Sequence, residues 1–341
     1  MIINIVNCKY EKMIELSETL SRNDYYQKHE DGLIFSFDKL DFIEPTGAIM
    51  FWAIIDKLKS KEYTFSLKTL DKESSGPISY GLNIGFFQMI GLSTNTQFKA
   101  NGRTYISPTK VNLNELYERL RKKHENTETY FDDIASFLVE TNLKFTDYKE
   151  NTLVKSLIEY SIREMVRNIF DHSETDEYNY SSQYYEKDKR VEIVISDNGV
   201  GLRETVPFDM EYKWFNEISD RDAILRAIIP GITAKSNHSY ASETHKNTGF
   251  GLNIVKRIAT HTGGDLTIVS GTLAMSFHNK RHIERICDFT GTIIRISMYL
   301  DKLNDIIFDE IINDAKEEAL ALGIEIDPSS ASSSLNNKKR N

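Results

Sequence analysis

The chain has 341 residues, of which 40% are hydrophobic and 27% charged, enough for two ordinary globular domains. The formal net charge of -9 argues against a nonspecific grip on nucleic acid, and no apolar run is long enough to cross a bilayer. Cys8 and Cys287 form no metal or redox motif and the amino-terminal segment lacks a signal-peptide layout, which together predict a cytoplasmic location.

The amino-terminal part of the chain is predicted to alternate strands and helices. The expected elements, in chain order, are a buried strand at 33–38, the turn Glu44-Pro45-Thr46-Gly47 followed by an amphipathic helix, a strand at 64–70 and a short helix at 79–92. This order predicts a small α/β domain over residues 1–108.

The next segment is charged and has a helical pattern. Residues 109–150 are interpreted as a helical connector that offers a docking or dimer surface. The expected elements after it are a helix at 152–173, a hairpin of strands at 178–185 and 191–196, a polar segment at 202–248, a helix from Gly251, and strands at 265–270 and 292–300. An insertion of about twenty residues separates the last two strands, which is long for a hairpin loop. A charged helix at 301–323 and a disordered low-complexity tail at 324–341 are expected last.

The long helix at 152–173 carries the first motif with chemical potential. Glu164, Asn168 and His172 are four residues apart, so they share one helix face. The amide oxygen of Asn168 suits Mg²⁺, and the carboxylate of Glu164 suits a group that orients or deprotonates a hydroxyl or water. The alternative is an ordinary solvated helix face.

A second motif follows the hydrophobic strand at 191–196. Asp197 stands at the strand end, where a carboxylate can accept a hydrogen bond from an adenine amino group. Gly199 and Gly201 come directly after it and would let the backbone approach the ring closely. The alternative is a common Asp-Asn-Gly turn.

A third motif begins the helix near Gly251. Gly249, Gly251 and Leu252 run from a loop into an amphipathic helix, and free N–H groups at a helix N-terminus form a natural phosphate site. The alternative is a flexible loop that caps the helix.

The three motifs in this order resemble those of the GHKL superfamily, which includes histidine kinases, gyrase-type topoisomerases, heat-shock chaperones and anti-sigma kinases. The resemblance covers residues 151–300 and implies an α+β sandwich of the Bergerat type that binds ATP and Mg²⁺. It implies that Glu164 is the general base, that Asn168 is the Mg²⁺ ligand and that Asp197, beside Gly199 and Gly201, binds adenine. It also assigns phosphate contacts to Gly249, Gly251, Leu252 and Lys235, and an adenine contact to Thr292.

The segment LIFSFDKLDFIEPTGAIMFWAIIDKL resembles the STAS domain of anti-sigma-factor antagonists. In this resemblance Thr46 falls where those antagonists carry a phosphorylatable hydroxyl, although Pro45 stands where many have Ser. The alternative interpretation is that Thr46 caps the following helix, a position that Thr favours.

The motif EMVRNIFDHS at 164–173 is most similar to that of the anti-sigma serine/threonine kinases. One hypothesis is therefore a regulatory ATPase or kinase that transfers the γ-phosphate of ATP to Ser or Thr, either on Thr46 or on a protein partner. A second is an ATP-driven conformational switch with slow hydrolysis as its reset. A third is an interaction module without enzymatic activity, against which Glu164, Asn168 and Asp197 argue.

Overall fold

The computed structural model describes residues 1–22, 32–68, 76–92, 102, 104–206, 218–232, 249–279 and 281–324. The described part confirms the α/β class, with helices packed on a large sheet and a smaller parallel sheet near the amino terminus. None of the helices in these ranges combines the length and the apolar composition that crossing a lipid bilayer requires.

The amino-terminal part contains short parallel strands and surrounding helices. Its elements are β1 (Ile2–Asn4), β2 (Asn7–Cys8), α1 (Tyr10–Ser21), β3 (Leu33–Ser36), β4 (Phe42–Ile43), α2 (Pro45–Ser60), β5 (Phe65–Lys68), α3 (Gly76–Asn83) and α4 (Phe86–Met89). Strands β1, β3 and β5 form a parallel sheet in that order, and β2 pairs in parallel with β4. The single helix predicted at 79–92 is two short helices, α3 and α4.

Helix α2 is the most deeply buried element of this part. Ile49, Met50, Phe51 and Ile55 are 1% exposed or less, so the helix is buried on several sides and not on one stripe only. The reason is that α2 lies between the small parallel sheet and the large sheet, where it contacts strands of both parts of the chain. The amphipathic helix predicted from sequence is therefore an interior helix.

The larger part of the molecule is built on a seven-stranded sheet. Its elements are β6 (Tyr105–Asn112), α5 (Leu113–Lys123), α6 (Thr127–Leu143), α7 (Thr152–His172), β7 (Glu177–Tyr185), β8 (Arg190–Asp197), α8 (Leu202–Thr205), α9 (Asp220–Ala227), α10 (Gly251–His261), β9 (Asp265–Ser270), β10 (Leu273–His278), β11 (Arg281–Ile286), β12 (Thr292–Tyr299), α11 (Leu300–Leu303) and α12 (Phe308–Ala321). The strand order is β11-β10-β9-β12-β8-β7-β6, and all neighbouring pairs are antiparallel.

Two segments of this part differ from the sequence-based expectation. The insertion between the two last predicted strands is itself a hairpin, β10 and β11, which extends one edge of the sheet. The predicted connector at 109–150 does not stand apart, because β6 forms the other edge and the buried side of α5 and α6 joins the same core as α7. The high charge of this segment in the sequence reflects the exposed face of the two helices, and their other face is apolar and buried.

The two faces of the large sheet have different cover. On one face, alternate residues such as Val191, Ile193 and Ile195 of β8 join the core of the helices. On the other face, Val194 of β8 and Ile293 of β12 join the core of the amino-terminal part. The amino-terminal part is therefore docked against the sheet face that the helices leave open.

Candidate functional site

A pocket opens on the helix-covered face of the sheet. It lies between the last turns of α7, the end of β8, the beginning of α10 and the beginning of β12, and holds about 720 Å³ of empty space counted out to its open mouth. Seven residues singled out in the sequence line it, namely Asn168, His172, Asp197, Gly249, Gly251, Leu252 and Thr292. Three motifs that are distant in sequence thus meet around one cavity.

Asp197 forms the polar floor of this pocket. Its side chain is 6% exposed, and the backbone N–H of Gly199 donates to Oδ1 over 3.0 Å. Within the described ranges no salt bridge reaches this carboxylate. Burial raises the pKa of Asp197 to about 7, against the hydrogen bonds from the backbone of Gly199 and Thr292. A buried acceptor without a cation is suited to an uncharged donor such as an adenine amino group.

The glycines after Asp197 are closely packed against neighbouring elements. A Cβ at Gly199 would overlap the carbonyl of Ser173, and a Cβ at Gly201 would lie 2.9 Å from Oγ of Ser270. Neither glycine lines the pocket. They allow the turn to pack against α7 and β9, and their contact with the adenine ring stays a prediction.

The amino-terminal end of α10 forms the opposite wall. The helix begins at Gly251, and Phe250 at the N-cap position makes no side-chain hydrogen bond to the first turn. Gly249 adopts a positive φ of 73°, a conformation that L side chains rarely take. The early N–H groups of α10 therefore lie at the pocket wall without a side-chain cap, which suits an anionic group.

Helix α7 contributes Asn168 and His172 to the lining, whereas Glu164 lies one turn farther back. Glu164 is 6% exposed, and Nη1 of Arg167 lies 2.9 Å from its Oε1. Burial raises the pKa of Glu164, and Arg167 opposes that rise. A Cβ on Gly251 would overlap Oε2 of Glu164, so the carboxylate touches the beginning of α10 from behind.

Burial also lowers the pKa of His172, so this pocket-lining imidazole is neutral near pH 7. The sequence motif placed His172 on the same face as Glu164 and Asn168, and its position at the pocket is consistent with that spacing.

The apolar lining of the pocket was not predicted. It comes from residues beside the motifs and from two short helices, and includes Ile169, Val200, Leu202, Val206, Ala227 and Ile294. Strand periodicity could have identified Ile294, which lies two residues after Thr292 and therefore on the same face of β12. Helix α8 lies in a segment with no periodic pattern of apolar residues. Lys235, the predicted phosphate contact of the polar segment, lies outside the described residues.

The donor set fits Mg²⁺ in the manner that nucleotide sites commonly use. Within the described residues, no group of three or more His, Cys, Asp or Glu side chains could hold a metal alone. Asn168 offers one amide oxygen at the pocket, and Mg²⁺ usually keeps several waters and takes its other ligands from phosphates.

Thr46, the predicted phosphoacceptor, lies in the interface between the two parts of the molecule. It is completely buried, and its hydroxyl donates to Oε1 of Glu192 over 2.7 Å. The alternative interpretation of Thr46 as a helix cap is wrong, because Glu44 occupies the N-cap position of α2 and Pro45 begins the helix. Burial, and then the neighbouring Glu192, raise the pKa of Glu44 to about 8.

Comparison with known proteins agrees with the geometry of the pocket. A family model described as Histidine kinase-, DNA gyrase B-, and HSP90-like ATPase matches residues 154–301, less than half of the chain. No curated protein matches the chain. The matched range contains α7, β8, α10 and β12, the four elements that meet at the pocket. Residues 154–301 are a GHKL-type ATPase domain, the class of domain that binds ATP.

Proposed function

We propose that the protein is an ATP-driven conformational switch in which nucleotide turnover changes the contact between the ATPase domain and the amino-terminal part. The observation that carries this proposal is the double role of β8. Asp197 at its end lines the pocket, and Glu192 on the opposite face holds Thr46 of the amino-terminal part. The two residues are five positions apart, roughly 16 Å along a strand.

The pocket residues have distinct roles in this proposal. Asp197 accepts a hydrogen bond from the adenine amino group, and Thr292 supports it from the neighbouring strand. The N–H groups at Gly251 and Leu252 bind phosphate oxygens, which the positive end of α10 favours. Asn168 supplies an oxygen for Mg²⁺, whose contribution when bound is neutralisation of phosphate charge.

Glu164 is the proposed group that orients or deprotonates the attacking water. Its carboxylate contacts the beginning of α10, where the phosphates are expected, and it is buried among groups that restrict its movement. Catalysis of phosphoryl transfer depends mostly on positioning and charge stabilisation, so Glu164 would position the water while the N–H groups of α10 and Mg²⁺ would stabilise the charge.

Strands β8 and β12 provide the physical link to the amino-terminal part. Thr292 and Ile294 of β12 line the pocket, and Arg295 of the same strand lies 2.9 Å from Glu192 on the opposite face. A shift of these strands upon nucleotide binding changes both surfaces at once, because packed sheets transmit displacement.

Serine/threonine kinase activity is the second candidate function. Glu164 could activate a Ser or Thr hydroxyl of a protein partner as well as a water. Transfer to Thr46 within the same chain is less favoured, since its hydroxyl is buried on the sheet face opposite the pocket. Phosphorylation of Thr46 requires that the amino-terminal part first leaves the sheet.

The finer classification also belongs to this proposal. The strand-turn-helix order from β3 to α2, with Thr46 beside the turn, supports a STAS-like domain, and the α7 motif supports the anti-sigma kinase subtype.

We propose that the ATPase unit begins at β6 and not at residue 151, because β6, α5 and α6 share its sheet and core. The exposed face of α5 and α6 is the proposed docking or dimer surface.

The decisive experiment combines labelled ATP with a structural readout. Purified protein, Glu164→Ala and Thr46→Val are incubated with γ-labelled ATP and Mg²⁺, and both free phosphate and protein-bound label are measured. Free phosphate that requires Glu164, without bound label, is the expected result. Label that is lost in Thr46→Val would instead establish kinase action on Thr46.

Hydrogen exchange tests the switch itself. A nonhydrolysable ATP analogue should change amide exchange in α2, which packs against the large sheet on the face of Glu192, opposite the pocket, as well as in the pocket elements. Protection confined to the pocket would contradict the switch while leaving ATP binding intact.

A further inference from the structure

A charge ladder joins α6 to α7 beside the pocket. Helix α6 provides the carboxylates of Glu128 and Asp132. Helix α7 provides the guanidinium groups of Arg163 and Arg167, which are one turn apart and form salt bridges with them. Arg163 lies 3.3 Å from Glu128 and 3.0 Å from Asp132, and Nη2 of Arg167 lies 2.7 Å from Glu128. Both arginine side chains are 15% exposed, so the two are closely matched in burial and in helix position.

The two arginines differ in their contact with Glu164. Nη1 of Arg167 lies 2.9 Å from Oε1 of Glu164, and the described residues show no hydrogen bond between Arg163 and Glu164. The guanidinium of Arg167 also lies over the ring of Phe131 on α6, 5.7 Å from its centroid. Arg167 is therefore fixed by α6 through Glu128 and Phe131 while it binds the carboxylate next to the pocket.

The two oxygens of Glu164 have different surroundings. Oε1 is bound by Arg167, whereas Oε2 contacts Gly251 at the beginning of α10. A guanidinium that binds one oxygen fixes the plane of the carboxylate. The other oxygen is then directed at the amino-terminal end of α10, here called the phosphate wall because the phosphates are expected there. A rotation of Glu164 away from α10 would break the contact with Arg167.

We propose that Arg167, anchored by Glu128, is a positioning residue that holds Glu164 at the phosphate wall and offsets its negative charge there. This inference rests on the proposed role of Glu164 in ATP turnover. The physical reason is that a buried carboxylate beside a polyphosphate repels it unless a fixed cation compensates, since charges interact strongly away from water. Arg167, in contact with Oε1, supplies the larger part of that compensation and Arg163 a smaller part, and Arg167 does not enter the pocket lining.

The test compares Arg167→Gln with Arg163→Gln, its matched control. Binding of ATP is measured by calorimetry with Mg²⁺, and turnover is measured by phosphate release, with thermal unfolding recorded for each variant. We expect Arg167→Gln to weaken ATP binding about 10-fold or more and to lower kcat by a similar factor. Arg163→Gln, which removes ladder contacts but not the contact with Glu164, should change both by less than about 2-fold.

A double variant separates charge from structure. If Arg167 acts by compensating Glu164, then Glu164→Gln with Arg167→Gln should bind ATP as tightly as Glu164→Gln alone, because no buried charge remains to be offset. Arg167→Lys should restore part of the binding but little of kcat, since an ammonium keeps the charge and loses the fixed geometry. Equal losses in Arg163→Gln and Arg167→Gln, or no recovery in the double variant, would overturn the proposal.

The same measurements distinguish this inference from the proposed function. Wild-type protein that binds ATP but releases no phosphate would contradict turnover, and the binding cycle would still decide whether Arg167 compensates Glu164. Turnover that depends on Glu164 but is unchanged in Arg167→Gln would contradict the role of Arg167 alone.

Discussion

The two faces of the large sheet bury carboxylates in opposite ways. On the face toward the amino-terminal part, Glu192 is fully buried and is bound by Arg295 at 2.9 Å, Arg190 at 3.1 Å and the hydroxyl of Thr46 at 2.7 Å. On the pocket face, Asp197 of the same strand is nearly as buried but is held by backbone N–H groups.

The pKa directions express this difference. Although burial alone would raise it, Arg295, Thr46 and Arg190 together hold the pKa of Glu192 below its ordinary value. Burial raises the pKa of Asp197 to about 7, and no cation among the described residues opposes the rise. A carboxylate whose charge is compensated within the chain serves the structure, whereas one left uncompensated in a cavity is available for a ligand.

The largest expected effect is on the docked face. Glu192→Gln removes a fully buried carboxylate that pairs with both Arg295 and Arg190. Asp265 still pairs with Arg295 in this variant, and we expect a loss of about 3 kcal/mol in the free energy of unfolding. Chemical denaturation measures it. Glu177→Gln on the neighbouring strand, which breaks a partly exposed pair with Lys110, is the control and should cost at most about 1 kcal/mol. Equal stabilities for the two variants would remove the contrast between the faces.

The next effect is on the pocket face and concerns ligand affinity. Asp197→Asn exchanges an anionic acceptor for a neutral amide, and we expect ATP to bind roughly 10- to 100-fold more weakly. Stability near pH 8 should remain or rise, since the variant no longer buries an uncompensated charge. Calorimetric titration and denaturation of the same samples measure both. A variant that loses stability but keeps its ATP affinity would show that Asp197 is a structural residue.

The pH dependence of Asp197 sharpens the same contrast. Its pKa in the folded protein, about 7, lies above the ordinary value of 3.8, so its contribution to stability is fully present below pH 3.8 and is lost as pH rises through 7. ATP affinity should change in the opposite sense and weaken several-fold between about pH 8 and 6, as the acceptor becomes protonated. Asp197→Asn is the control. In this variant, the pH dependence that Asp197 contributes to stability and to ATP affinity should be absent.

The sequence predicted the pocket better than the interface, for a physical reason. Asn168, Asp197 and Gly251 are placed by local features, namely helix spacing, a strand end and a loop that opens a helix. The contact between Thr46 and Glu192 joins positions 146 residues apart, and neither local pattern contains information about the other. Glu192 lies in a hydrophobic strand, where a single glutamate would ordinarily be assigned to a solvent-facing position.

The strands at the sheet edges were missed for a related reason. Most of β11 is exposed, and its sequence therefore lacks the alternation of apolar and polar side chains that would predict a strand. Strand β6 is only partly buried and contains a proline and an irregular register near Pro108. Both are strands because their neighbours provide hydrogen-bonding partners, which is a property of the fold and not of the segment.

The smallest expected effect tests how far Thr46 contributes to the docked face. Thr46→Val keeps the shape of the side chain and removes one hydrogen bond to Glu192, whose charge is still compensated by Arg295, so we expect a loss of about 1 kcal/mol. Thr46→Ser retains the hydroxyl and tests the methyl group alone. Thr267→Val is the matched control within the ATPase domain, because it removes a hydroxyl on the same sheet face that bonds Ser276.

Hydrogen exchange tests whether the hydroxyl of Thr46 also restrains the amino-terminal part. If Thr46→Val alone raises the response of α2 to an ATP analogue, then this hydroxyl is a restraint, because a weaker contact opens at a smaller cost in free energy. An unchanged response would assign the restraint to the apolar contacts around α2 instead.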